Sequence, residues 1–519
     1  MNVFLMYNAR DSGLRDNPPA NAVELIQDLE LNTLLGAMSA DDKFLLEVAT
    51  KAVLASLHSR EEILYRQGVL ADCLAQPTLV REMYAIAVEA IERERKAWGW
   101  MVSSRYPESV LRGAIEVLQI FLELLKRLRS IADEHGGKFH SEGFAKLFAA
   151  LARELNDEYL GVIEDHIGRL AFRNGVLVSA ELGRGNKGAN FVLRRPHDKQ
   201  TGWRQRLQSW ISRLPLGRRA LYYQVADRDE AGARFLSELT GRGIAPAAAA
   251  LGQSALHILG FFKMLRTELG FYVACLNLRD RLAAKGEPIC IPEPCAVGRP
   301  ALSARGLYDP CLSLSMGLNI AHRVVGNDLA GDEKMLLVIT GANRGGKSTF
   351  LRGLGLAQLM MQCGMFVPAE SFHADIRKGI FTHFKREEDA VMKSGKLDEE
   401  LGRMNSIVDE LTLNSLVLLN ESFASTNERE GSEIARQIIR ALLEVGVKVV
   451  CVTHLFDLAQ GFHAAHMHNA LFLRAERLAD GQRTYRLVEG EPWPTSFGED
   501  LYRRIFEQTS GAVNEAVGS

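Results

Sequence analysis

The sequence predicts a multidomain protein of the α and α/β classes: a helical core or lever region, a small β-containing insert, then an α/β domain. Three observations predict it. Residues from about Asn21 to Phe172 carry apolar side chains at helical spacing. Near Gly175 the pattern changes to short apolar runs flanking a glycine-rich turn. From about residue 301 to 506, buried strand-like runs alternate with helical ones, as in a largely parallel sheet. At 519 residues the chain exceeds what one ordinary core accommodates. The expected division is 1–175 helical core and lever, 176–240 basic insert, 241–300 helical return and linker, 301–506 α/β domain, and 507–519 flexible tail.

The strongest helical signal follows Pro107, where Val110, Leu111, Ala114, Ile115, Leu118, Phe121, Leu122 and Leu125 fall on one face. Gly136-Gly137 ends that helix, and Ser141 with Glu142 starts the next. Phe121-Leu122-Glu123 resembles a base-probing Phe-x-Glu motif, but its place within the apolar stripe makes Phe121 a core residue. Val176–Ala180 and Phe191–Leu193 read as a hairpin around Gly183–Gly188, with a third strand at Leu221–Val225. Helices are expected to resume around Ala247 and run to Arg281, followed by a proline-rich linker from Pro288 to Pro300. Leu336–Thr340, Leu416–Leu419 and Val447–Thr453 are strands, alternating with helices after Lys347 and around Glu433–Leu443.

Bulk composition narrows the function classes. Lys plus Arg number 62 against 64 Asp plus Glu, so a polyanion-binding signal must be local. Seven scattered cysteines with no C-x-x-C read as reduced thiols, not as a disulfide frame or zinc site. The start is too short and uncharged for a signal peptide, and no uninterrupted apolar run approaches the ~20 residues of a membrane span. A soluble cytoplasmic protein with no membrane partner is expected.

Gly341-Ala342-Asn343-Arg344-Gly345-Gly346-Lys347-Ser348-Thr349 fits the G-x-x-x-x-G-K-[ST] phosphate-binding loop, between a buried strand and a helix. Gly341, Gly345 and Gly346 let the backbone wrap phosphates with its N–H groups. Lys347 supplies a point charge, the Ser348 hydroxyl a ligand for Mg²⁺, and the helix its positive N-terminal end. ATP and Mg²⁺ are the expected cofactors. Leu416–Leu419 leads into Asn420 and Glu421, where such a site needs one group in the Mg²⁺ shell and one to orient water. Asn420 brings no charge to a dication, so weak metal coupling and slow turnover are expected. His454 ends another buried strand, at the sheet edge where ligands bind, and can sense a γ-phosphate.

Between Arg184 and Arg219 lie ten Lys/Arg against one acid, Asp198, with Trp203, Trp210, Tyr222 and Tyr223 interleaved or adjacent. Such a patch can neutralise phosphates and release counterions; the other reading is a solvated surface balancing acids elsewhere. Arg194, Arg195, Arg204 and Arg206 are the candidate polyanion contacts. His463, His466 and His468 cluster without a nearby cysteine and read as a surface loop.

Together these motifs resemble the MutS family of DNA mismatch-repair ATPases, within the wider ABC-type class. The G-x-N-x-G-G-K-S-T form of the loop, with Asn343, is narrower than a generic phosphate-binding loop. It continues to Gly364-Met365-Phe366-Val367-Pro368-Ala369, similar to the family's G-x-x-V-P-A. Ile380-Phe381-Thr382 resembles the strand before the signature loop; Thr426, Glu430 and Gly431 echo the segment after the Walker B acid. Thr453-His454 matches the Thr-His switch, and Val324-Val325-Gly326-Asn327 stands where relatives carry an adenine-packing turn. Ser496-Phe497-Gly498 resembles the family's Ser-Tyr-Gly.

The resemblance implies a homodimer with composite ATP sites, Thr349 and Val324 among the nucleotide contacts, and helical arms closing on duplex or branched DNA, which would make Arg194, Arg195, Arg204 and Arg206 DNA-binding residues. Its signature loop would act in trans through Ser394 and Gly395, although Leu397 stands where relatives place a serine. The usual Walker B Asp is Asn420. No room is seen before the helices for a mismatch-reading domain, nor after the α/β part for a nuclease-like one. Three readings therefore stand: a DNA-linked ATPase of DNA repair or recombination, a nucleotide-gated DNA clamp with little turnover, and a binder of structured RNA.

Overall fold

The computed structural model describes residues 2–10, 18–99, 107–172, 177–182, 188–194, 230–296, 300–317, 323–386, 395–478 and 483–493. In chain order the elements begin with helices α1 (Ala22–Asp28), α2 (Leu31–Ser39), α3 (Lys43–Leu54), α4 (Arg60–Ala75), α5 (Pro77–Gly99), α6 (Pro107–His135), α7 (Glu142–Glu154) and α8 (Asp157–Leu170). Strands β1 (Val178–Leu182) and β2 (Gly188–Leu193) precede helix α9 (Glu230–Ala283). Then come β3 (Glu293–Cys295), β4 (Leu302–Leu307), α10 (Pro310–Ser315), β5 (Asn327–Ala330), β6 (Leu336–Thr340), α11 (Lys347–Gln362), β7 (Ser371–Asp375) and β8 (Ile380–Phe384). The chain continues through α12 (Lys396–Glu410), β9 (Leu416–Asn420), α13 (Glu428–Glu444), β10 (Lys448–Val452), α14 (Phe456–Ala464), β11 (Ala470–Arg477) and β12 (Arg483–Glu489).

Two compact units result, and they divide the chain differently from the linear segments expected above. One comprises Met1–Val3, Glu82–Gly136 and Leu147–Arg266; the other Phe4–Arg81, Gly137–Lys146 and Thr267–Ser519. In the first unit α6 buries the expected stripe: Phe121 is fully buried, and its ring lies 5.4 Å from that of Phe262. Phe121 is therefore core, as its helical phase requires. β1 and β2 pair antiparallel in the expected hairpin, while its turn and the Leu221–Val225 strand lie outside the described residues.

In the second unit the early helices are fastened to the α/β part by buried polar contacts. Arg66 Nη1 donates to the Cys363 carbonyl at 3.0 Å, and Gln67 Nε2 to that of Pro292 at 3.0 Å. Glu268, buried on α9, accepts from the Met6 N–H at 3.0 Å. Burying a carboxylate and a guanidinium is tolerable only with such partners. All seven cysteines are free thiols.

Two expectations are revised. Helix α9 begins at Glu230, well before Ala247, and continues through Pro246. A proline removes one N–H and disfavours helix interiors, which is why the sequence reads as broken there. The Pro288–Pro300 stretch is not a plain linker: β3 within it pairs parallel with β7. β3 is an edge strand, where Pro294 need not donate to a second neighbour. By length and composition Thr240–Ala283 is apolar enough to cross a membrane. Its C-terminal part is core, with Phe271, Tyr272, Cys275 and Leu278 fully buried.

The principal sheet has the order β12-β11-β6-β10-β9-β8, parallel except for β12. Its central strands are continuous apolar runs, as expected for a sheet covered on both faces. α13 and α14 cover one face through Ile439, Leu442, Leu458 and Phe462, packed with Val338, Val417 and Val449. A second sheet of order β3-β7-β4-β5 adjoins it in sequence. Parallel register puts Ile339, Asn420 and Val452 level, so the loops after β6, β9 and β10 leave from one edge.

Candidate functional site

The candidate site is built on that carboxyl edge, where the strand ends of an open parallel sheet expose side chains to a crevice. After β6 the chain makes the Gly341–Gly346 loop and enters α11 at Lys347. Gly346 has φ +90°, a conformation a side chain would strain, and it precedes the helix as its N-cap. At Gly345 a Cβ would come within 2.8 Å of the Ala475 Cβ, so the loop lies close against β11.

Lys347 is 4% exposed, and its Nζ donates to the carbonyls of Gly341 at 2.8 Å and Ala342 at 3.0 Å. An ammonium has three protons, so one remains for a ligand. Burial pushes this ammonium below its ordinary value, opposed by the Glu421 carboxylate and reinforced by Arg483. Ser348 and Asn343 are exposed on the same loop, and Thr349 is half-buried.

The loops after β9 and β10 supply the rest. Ser348 Oγ donates to Asn420 Oδ1 at 2.9 Å, joining the two residues expected to share a metal shell. These are two hard oxygen donors on neighbouring elements, the ligand chemistry that Mg²⁺ selects, though neither carries charge. Glu421 follows with its N–H donated to the Val452 carbonyl at 2.8 Å. Its φ is +55° and that of Phe423 is +61°, left-handed conformations that cost an L-residue roughly 1–2 kcal/mol each. His454 Nδ1 lies 3.9 Å from Glu421 Oε2. Thr453, buried, accepts the Leu455 N–H at 3.0 Å and donates its own N–H to the Ile339 carbonyl, which fixes the turn that presents His454.

A cavity of about 650 Å³ opens beside the loop, lined by Tyr308, Val324, Val325, Gly346, Thr349 and Tyr485 among others. Val324 thus shares a wall with the loop. The Val324 N–H donates to Glu287 Oε1 at 3.2 Å, and Asn327 Nδ2 to the Tyr485 carbonyl at 3.2 Å. Tyr308, Glu287 and Tyr485 were missed by sequence reasoning. Asn327 stood within the turn that begins at Val324, but Tyr485 lies on β12 with no motif around it.

Of the remaining site candidates, only Gly395 and Arg194 fall on described residues. Gly395 is the N-cap of α12, and Ser394 lies outside the described residues. Arg194 follows β2 directly, and its Nε donates to Ser179 Oγ at 2.9 Å. Arg195, Arg204, Arg206 and the aromatic residues of the insert lie outside the described residues, as does Ser496-Phe497-Gly498. The rings of His463 and His466 are 6.4 Å apart, and no metal-holding group of His, Cys, Asp and Glu occurs among the described residues.

Residues 58–285 match the MutS2 N-terminal domain, and residues 337–505 match MutS domain V. The chain is 37% identical over 174 residues to "Endonuclease MutS2" of Lacticaseibacillus casei, covering 33% of this chain and 22% of that protein. It is 37% identical over 186 residues to the protein of the same name from Thermus thermophilus, covering 35% and 24%. "DNA mismatch repair protein MutS" of Thermotoga neapolitana is 36% identical over 178 residues, covering 34% and 22%. The matched stretch is thus about a quarter or less of each curated relative's length. Two family domains in order, 58–285 and 337–505, with the second beginning in the strand that leads into the Lys347 loop, place the chain in the MutS family.

Proposed function

We propose that the protein binds and hydrolyses ATP at the Gly341–Thr349 loop and couples that cycle to its grip on DNA, as a cytoplasmic homodimer with composite sites. The observation that carries this reading is the gathering of Lys347, the Ser348–Asn420 pair and the Glu421–His454 pair on one sheet edge. The loop's N–H groups and the N-terminus of α11 receive the phosphates. The remaining Lys347 proton faces the charge that develops on the transferring group. Bound Mg²⁺ would neutralise phosphate charge, held by Ser348 with Asn420 in its shell. Glu421 accepts a hydrogen bond from the attacking water and aims it in line, and His454 donates to the γ-phosphate. The base occupies the cavity between the Val324-Val325 turn, Tyr308 and Tyr485. Ser394 and Gly395 serve the partner's nucleotide.

The DNA half of the reading is supported by the names of the relatives and by the basic insert. Replacing Arg194, Arg195, Arg204 and Arg206 with glutamine is expected to flatten the salt dependence of DNA binding, by about 0.9 in log–log slope for each phosphate no longer neutralised. Titration of a labelled branched duplex at several salt concentrations measures this, and an unchanged slope removes these residues from the DNA site.

A second reading, a nucleotide-gated clamp with little turnover, is favoured by one residue. Asn420 replaces charge with an amide dipole at the metal shell. Asn420→Asp is expected to lower the Mg²⁺ concentration needed for turnover by about tenfold, since a charge-assisted contact is worth on the order of 1–2 kcal/mol more. Turnover against Mg²⁺ concentration for both proteins tests this. If wild type binds ATP without hydrolysis and Asn420→Asp gains none, the clamp reading stands alone. Competition between branched DNA, linear duplex and folded RNA separates the polymers.

A further inference from the structure

Beneath the Glu421 segment lies a buried polar knot that the hydrolytic scheme does not use. His383, on β8, is fully buried. Its Nε2 lies 3.0 Å from the Glu400 carbonyl on α12, and because a carbonyl only accepts, Nε2 carries the proton. Its Nδ1 lies 2.7 Å from Ser422 Oγ, on the residue immediately after Glu421. Burial, reinforced by Arg403 and outweighing its hydrogen bonds, pushes the imidazole down to about 4. At neutral pH the ring is therefore uncharged, and the single Ser422 hydroxyl proton is shared between Nδ1 and the His383 carbonyl, which lies 2.8 Å from Oγ.

Two further contacts extend the knot. The Glu400 carboxylate accepts from Ser425 Oγ at 2.9 Å, and the His383 ring stacks on that of Phe423 at 5.3 Å and 19°. Arg403 of α12 donates to the Phe384 carbonyl at 3.0 Å. Residues 421–425 are thus held from β8 and α12 as well as from their own strand. They need such holding, because Glu421 and Phe423 both sit in the left-handed region. Helix α12 itself begins at Lys396, with Gly395 as its N-cap, far from the Glu421 segment in sequence.

We infer that His383 is a positioning residue that ties α12 to the Glu421 segment, so that displacement of the Gly395 end of α12 is passed to the Glu421 carboxylate. This rests on the reading of Glu421 as the group that orients water. The physical basis is that both ring nitrogens are engaged in a dry site, where neither bond can be exchanged for water. A strand histidine with one bond would only fill space; this one bridges two elements that carry different parts of the site.

The test is hydrogen exchange by mass spectrometry on the full chain, with ATP-analogue affinity, ATP turnover and Tm measured on the same samples. His383→Phe keeps the ring stacked on Phe423 and removes both contacts of the ring, leaving only the Ser422 bond to the backbone carbonyl of residue 383. It is expected to speed exchange across 421–427 and the first turns of α12 by about tenfold, the scale of one buried hydrogen bond left unmade. Nucleotide affinity stays at the wild-type value and turnover falls. His383→Gln, which keeps a donor for the Glu400 carbonyl, recovers protection in α12. Ser422→Ala loosens 421–427 but not α12, and it serves if His383→Phe does not fold. Unchanged exchange at 421–427 in both His383→Phe and Ser422→Ala overturns the inference, as does a uniform rise across the whole sheet. If exchange responds as expected but wild type hydrolyses no ATP, the latch stands and the hydrolytic reading of Glu421 falls.

Discussion

Replacing Glu421 with alanine is expected to lower ATP turnover by about 10²–10⁴-fold, the range for a general base or water-orienting carboxylate. ATP affinity should stay equal to wild type or tighten. The reason is geometric: on the proposed reading the phosphates would be held by the loop and Lys347, whereas Glu421 lies beside His454. Removing its carboxylate takes away no phosphate contact and relieves a like-charge neighbour. A fall in turnover without loss of binding marks a group acting in the transition state alone. Steady-state turnover with a fluorescent ATP analogue for affinity measures both halves. Brisk turnover in Glu421→Ala would remove this residue from the chemistry.

The second large effect is expected at Lys347. Lys347→Ala should weaken ATP binding by about 10- to 100-fold, the loss of one charge-assisted hydrogen bond to phosphate. The side chain is already aimed by its bonds to the Gly341 and Ala342 carbonyls, so little ordering is required when a phosphate arrives. Because burial weakens its ammonium form, a bound polyphosphate should also draw that proton on more firmly. Isothermal titration with a slowly hydrolysed ATP analogue checks the affinity. Wild-type affinity in Lys347→Ala would place the nucleotide elsewhere.

What was legible in the sequence is what is local in it. Gly341 to Thr349 is a contiguous pattern, and the strands that lead into it and into Asn420 and His454 are largely apolar runs alternating with helices, so their largely parallel sense was legible while their order in the sheet was not. The α6 stripe was legible for the same reason, and it assigned Phe121 to the core. Long-range grouping was not. Nothing near Arg66 in sequence says that its guanidinium ends on the Cys363 carbonyl, yet such contacts join the early helices to the α/β part. The β3 strand was hidden because Pro292 and Pro294 read as linker residues, and only an edge position makes Pro294 compatible with pairing. Helix α9 reads as shorter in sequence because Pro246 looks like a stop. At the site, His383 resembles any strand histidine, since its partners are 17 and 39 residues away. Tyr485 was invisible because cavity walls are assembled from segments that sequence keeps apart.

The central claim is that one site binds ATP, hydrolyses it through Glu421 and answers to DNA. The most direct measurement is ATP turnover by the full chain titrated with a branched DNA duplex, run beside Glu421→Ala. The account predicts a saturable change in wild-type turnover as DNA is added, with no turnover above background in Glu421→Ala although it still binds ATP and DNA. Turnover that ignores DNA at concentrations where DNA is bound, or that persists undiminished in Glu421→Ala, would contradict it.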